Sequence, residues 1–201
     1  MKNGGLLLSA AWGAMLLQAC SPAATPRERL VSDLAAAGLN ASISADGTQL
    51  QLGKTLAGSG ENTTAVAFNA ATVAGRAAEV FQRHPAATSA VREIWFRTLV
   101  TRHDRLGDTS SAPFVTFVIP GDDWRRAKFE NLGLTAALGF ARRYHVSDAA
   151  AHNGLYGFCA AFTDGDSDMC KVVFAACHAH RKRVNSRVFP SCPSSGSYPE
   201  T

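Results

Sequence analysis

Residues 41–52 constrain the fold more than any other stretch of this chain. Ala41-Ser42-Ile43-Ser44-Ala45 and Thr48-Gln49-Leu50-Gln51-Leu52 alternate apolar and polar residues on either side of Asp46-Gly47. A period of two is the pattern of a strand with one buried face, and an Asp-Gly dipeptide between two such runs is a strong hairpin signal. A two-residue turn pairs Ile43 with Leu50 and Ala41 with Leu52, placing apolar side chains on one face and Ser and Gln on the other. A sheet built on this hairpin is covered on one side only.

The flanking segments extend the pattern. Thr25-Pro26-Arg27-Glu28 combines a capping box with proline at the first helical position, Leu30, Val31, Leu34 and Ala35 form one apolar face, and Gly38 is a natural stop, so a helix is predicted over 26–37. Residues 54–64, rich in Gly, Ser and Thr, read as a loop. Val73, Ala77, Val80 and Phe81 recur at helical spacing within 69–84, before Pro85. Residues 91–102 read as a strand with Ile94, Phe96 and Val100 on one face and Glu93, Trp95, Arg97 and Leu99 on the other. Residues 114–119 form its expected antiparallel partner. Because a helix joins the hairpin to the 91–102 strand, neighbouring strands there are expected to run parallel. Asp122 or Asp123 is expected to cap a helix near Trp124, and a further helix is expected over 134–144. Trp124, Phe129 and Tyr144 read as core.

The chain has 201 residues, 46% of them hydrophobic and 18% charged, which supplies a core and excludes disorder along its whole length. Its apolar N-terminal run is too short and too terminal for an integral membrane domain. Lys2 followed by that run and then Leu17-Gln18-Ala19-Cys20 is a signal-peptide layout. Those last four residues resemble the bacterial lipobox. The resemblance implies a signal peptide over 1–19, cleavage before Cys20, diacylglycerol on the Cys20 sulfur, palmitate-type acylation of the new amine and a lipidated tether over 20–24. Ser21 resembles the second residue of lipoproteins sent to the outer membrane. The mature chain keeps a net charge of only +3, a poor basis for binding nucleic acid.

Removing Cys20 from the count leaves Cys159, Cys170, Cys177 and Cys192, an even set in a compartment that favours disulfides. If 169–183 is a helix, Cys170 and Cys177 stand roughly 10.5 Å apart along its axis, too far to bridge. Chain reversals near 164–165 and 184 favour pairing Cys159 with Cys170 and Cys177 with Cys192.

Chemical motifs are sparse. Asp164, Asp166 and Asp168 resemble the opening of a calcium loop, but Met169 stands where glycine is required and Ala175 where a bidentate glutamate belongs; a solvated turn with Asp168 capping the next helix fits better. Residues 47–55 mimic a phosphate loop with the wrong spacing. His178 and His180 would share a face only on a strand; on a helix they join Arg181, Lys182, Arg183 and Arg187 in a cationic end able to meet anionic ligands such as lipid head groups or cell wall. His103 with Asp104 and His145 with Asp148 are near acid/base pairs at element ends. No metal site, catalytic residue or cofactor is assigned. Trp95 and Leu99, large apolar groups on the polar face of a strand, either receive a covering helix or the C-terminal segment, or form an interaction surface.

The order helix, hairpin, helix, strand over 25–102, with Ile43, Asp46-Gly47 and Leu50-Gln51-Leu52-Gly53, resembles the BON domain of bacterial envelope proteins. That resemblance implies phospholipid or envelope interactions; the insertion at 54–68 departs from the family pattern. The expected architecture is α+β: a helix-hairpin-helix-strand-strand sandwich over 25–145 and a helical, disulfide-linked C-terminal segment over 146–201 with a loose tail. The expected function is a lipid-anchored binding or scaffolding module of the outer membrane, an accessory of an envelope assembly or secretion apparatus acting through other envelope proteins, with a periplasmic hydrolase or other envelope enzyme as the alternative.

Overall fold

The computed structural model describes residues 23–56, 62–103, 106–133, 135–161 and 167–184, with backbone alone at 102–103 and 177–184. It is an α+β fold. Five strands form one sheet in the order β1-β2-β3-β4-β5: β1 Asn40–Ile43, β2 Gln49–Leu56, β3 Glu93–His103, β4 Thr109–Pro120 and β5 Arg143–Val146. Only β2 and β3 run parallel, as the helical connection between them requires; the other neighbours are antiparallel.

Helix α1 (Pro26–Ala36) is stopped at both ends by its own sequence. The Thr25 hydroxyl accepts from the Glu28 N–H, the Glu28 carboxylate accepts from the Thr25 N–H, and Gly38 takes φ +79° after the last turn. The hairpin has the predicted register, Ile43 opposite Leu50 and Ala41 opposite Leu52. Its turn lies one residue early, however: the Gly47 N–H donates to the Ser44 carbonyl, so Ala45 and Asp46 occupy the corner and Gly47 follows at φ +76°. The Asp46 carboxylate accepts from the hydroxyls of Ser44 and Thr48 and from the Thr48 N–H, which holds that corner.

Helix α2 (Thr63–Arg83) begins six residues before its predicted start, and β2 runs on to Leu56, so both elements take residues from the expected 54–64 loop. The Asn62 side chain accepts from the Ala65 N–H and caps the helix, while Lys54, Thr55 and Leu56 continue the ladder opposite Thr98, Leu99 and Val100. A Gly/Ser/Thr-rich composition concealed both ends. Ala70, Ala71, Ala74, Ala77 and Ala78 are fully buried, and these small side chains let α2 pack closely against several elements at once.

Strands β3 and β4 pair as predicted, with a bulge. Arg97 stands opposite Thr116 but Leu99 opposite Pro113, so Phe114 and Val115 together face Thr98. The Thr98 hydroxyl donates to the Val115 carbonyl (2.7 Å) and accepts from the Val115 N–H (3.1 Å), closing the gap in the ladder.

Two predicted helices change. Helix α4 (Gly121–Arg126) has no side-chain cap; Asp122 lies within its first turn beside Arg125, and Asp123 accepts from Arg142. Gly121 opens α4 because an added Cβ would overlap the Val91 carbonyl. The expected 134–144 helix is one turn, α6 (Ala136–Gly139), followed by β5, where Tyr144 pairs with Phe117 and Arg143 with Val118. Pairing with β4 overrides a helical reading that rested on Ala137, Leu138 and Ala141, which are buried nonetheless. Helices α3 (Pro85–Thr88) and α5 (Phe129–Leu132) are single turns.

Helices α7 (Ala149–Ala161) and α8 (Asp168–Val184) pack into the same apolar cluster as the sheet and α2. At Gly154 and Gly157 an added Cβ would collide with Thr63 and Thr64, so these glycines set how closely α7 approaches the start of α2. The disulfide joins Cys159 to Cys170, as predicted, with Cα atoms 5.4 Å apart. Helix α8 is capped by Ser167, whose hydroxyl accepts from the Cys170 N–H; Asp168, the expected cap, is the first helical residue. Among the described residues, no helix is long and apolar enough to cross a membrane.

Candidate functional site: the open face of the sheet

Strand alternation sends Leu50, Leu52, Ile94, Phe96, Phe117 and Ile119 toward the helices, all of them buried. The opposite face carries Ser42 from β1, Gln49 and Gln51 from β2, Glu93, Trp95, Arg97 and Leu99 from β3, Thr116 and Val118 from β4, and Arg143 and His145 from β5. Ser42, Gln51, Arg97, Arg143 and His145 are exposed, and no described helix covers them. The covering element that Trp95 and Leu99 could have received is therefore absent among the described residues. Both side chains are half-buried by their neighbours on the sheet.

Trp95 is held in place. Its indole N–H donates to Glu93 Oε2 (3.1 Å), while Glu93 Oε1 accepts from Arg143 Nη2 (2.7 Å) on β5. Between these strands Val118, opposite both Trp95 and Arg143, is only 3% exposed although it lies outside the main core cluster. A miniature apolar layer thus sits on the outer face of the sheet.

Beside Trp95 a groove of about 480 Å³ runs over β1, β2 and β3. Its lining includes Asn40, Ser42, Gln49, Gln51 and Arg97, with Gly53 leaving a gap in the side-chain layer. A Cβ at Gly53 would meet Asn40 Cβ at 3.6 Å, an ordinary contact that would fill the gap. Arg97 forms no ion pair among the described residues.

Among the described residues the histidine side chains do not converge. His145 is exposed on the open face, whereas His152 is buried on the helix side, its ring 6.2 Å from that of Tyr144. Burial pushes the Tyr144 hydroxyl up to about 12. Asp148, the sequence neighbour of His145, accepts from the Ala151 N–H at the start of α7. Among the described residues no three His, Cys, Asp or Glu side chains gather as a metal site. The phosphate-loop mimic is divided between the hairpin turn and β2, and Lys54 Nζ donates to the Gly38 carbonyl.

Other predicted positions fall elsewhere. Cys177, His178, His180, Arg181, Lys182 and Arg183 lie on the backbone of α8, where residues two apart diverge around the axis, so the strand arrangement of His178 and His180 is not formed. Their side chains, with Cys20, the 164–166 turn, Arg187 and Cys192, lie outside the described residues. Sequence reasoning singled out Trp95 but not the groove beside it. The parity of Gln49, Gln51 and Arg97 was a usable signal once parallel pairing set Gln51 beside Trp95. Compared with protein-family models, curated proteins and solved structures, the chain matches none.

Proposed function

We propose that the protein is an outer-membrane-anchored envelope lipoprotein that acts as a binding or scaffolding module through the open face of its sheet. The observation that carries this reading is a half-buried tryptophan, locked by Glu93, on a sheet face where Ser42, Gln51, Arg97 and Arg143 are exposed. Large aromatic groups set among polar ones are typical anchors of recognition surfaces. The lipobox-like residues 17–20 supply export, cleavage and acylation at Cys20. The Cys159–Cys170 disulfide suits an oxidising compartment. The dispersal of the described histidines favours binding over hydrolysis.

A photoreactive residue in place of Gln51, compared with one in place of the exposed Val172 on α8, tests this in intact cells. Crosslinks from position 51 to envelope components, absent from position 172, support it. Equal or no crosslinking from the two positions contradicts it.

A further inference from the structure

We propose that the groove beside Trp95 is a carbohydrate site, and that its ligand is the N-acetylated glycan of the cell wall, whose attached peptide stems carry the carboxylates. This deepens the envelope-binding reading and rests on it for the ligand's presence.

With its N–H committed to Glu93, the indole presents only carbon surface, which suits the apolar C–H face of a pyranose ring. Around it stand side-chain amides from Asn40, Gln49 and Gln51. Each offers two donors and one acceptor group, and an N-acetyl group is itself an amide with one of each. None of these three amides makes a side-chain hydrogen bond with another described residue, so the fold does not use them. A purely apolar ligand would leave them desolvated and unpaired.

Charge narrows the choice further. Among the described residues Arg97 is the one charged side chain in the groove lining and has no acidic partner, while the nearest carboxylate on its strand face, Glu93, is already shared by Trp95 and Arg143. His145 and Arg143 lie across β4 from this strand. The face therefore complements an anion, and a guanidinium matches a carboxylate in fork geometry. The volume, about 480 Å³, lies within the range of roughly 300–1,000 Å³ usual for small-ligand sites. The gap at Gly53 provides room for a substituent projecting from the sugar ring.

The test uses the purified full-length protein in detergent, sedimented with insoluble peptidoglycan sacculi and challenged with soluble muropeptides. Gly53→Val fills the groove without changing charge, and Arg97→Glu reverses the charge at Arg97. Thermal midpoints establish that both variants are folded. The expected result is that the wild type sediments and is released by muropeptides, and that each variant weakens binding by about tenfold or more.

The proposal is overturned if the wild type stays in the supernatant, if either variant sediments like the wild type, or if muropeptides fail to compete. It is also overturned if the face instead mediates a dimer that Arg97→Glu dissolves while sacculi are ignored. Because sedimentation is read on purified protein, an unacylated N-terminus would remove the envelope reading and leave this result standing, and absent binding by an acylated protein would remove only the glycan.

Discussion

Glu93 on β3 and Arg143 on β5 join hands across an intervening strand, Oε1 to Nη2 at 2.7 Å, and the same carboxylate receives the Trp95 indole N–H. Both partners of the ion pair are substantially exposed, so the link is worth at most about 1 kcal/mol. Its structural consequence is orientation. Glu93→Ala, which removes the acceptor, should change stability by about 1 kcal/mol or less yet make Trp95 more accessible. In protein produced from residue 23 onward the tryptophans are Trp95 and Trp124, and Trp124 is fully buried, so acrylamide quenching reports mainly on Trp95. The quenching constant should rise in Glu93→Ala; an unchanged constant would mean the carboxylate does not hold the ring.

Thr98 is a different kind of residue, a hydroxyl with no exposure on the core face of β3. It satisfies both backbone groups of Val115 at the bulge. Thr98→Val keeps the shape and strands those groups, so denaturant unfolding should show a loss of about 1–3 kcal/mol with little change in slope.

The Cys159–Cys170 bridge closes a short loop between α7 and α8. Cys159→Ala with Cys170→Ala should lower unfolding free energy by about 3 kcal/mol in the chain-entropy account. Urea midpoints of the oxidised wild type and the double variant provide the comparison, and coincident midpoints would contradict it.

Asp46 sets an acid limit on the hairpin. Hydrogen bonds from Ser44, then Thr48, hold its carboxyl at about 2, below the ordinary 3.8. A pKa depressed by folding gives stability that is complete above the unfolded value and is lost as pH falls through the folded one. The stability difference between wild type and Asp46→Asn should therefore shrink as pH is lowered from about 4 to about 2. A difference that stays constant over that window would show the carboxylate charge to be irrelevant to the turn.

Elements whose signals are local were legible in the sequence. The α1 capping box, the hairpin register, the parity of β3 and the Cys159–Cys170 pairing each depend on residues close together in the chain. What escaped depends on distant partners. Strand β5 exists because Arg143–Val146 has β4 to pair with, and the glycines of α7 make sense only against Thr63 and Thr64. The groove is legible in the same partial way: Trp95 stood out alone, whereas Asn40, Gln51 and Arg97 acquire meaning through the β1-β2-β3 order. A side chain's chemistry can be read from its type, but its neighbours across strands cannot.

In the proposed reading, anchoring at the envelope gives the open sheet face its partners, and the mass of the N-terminal peptide released from protein purified out of its native membrane tests this most directly. The account predicts a peptide beginning at Cys20, carrying a thioether-linked diacylglycerol and an acylated amine. A peptide that still contains Met1, or one with an unmodified Cys20, would contradict it.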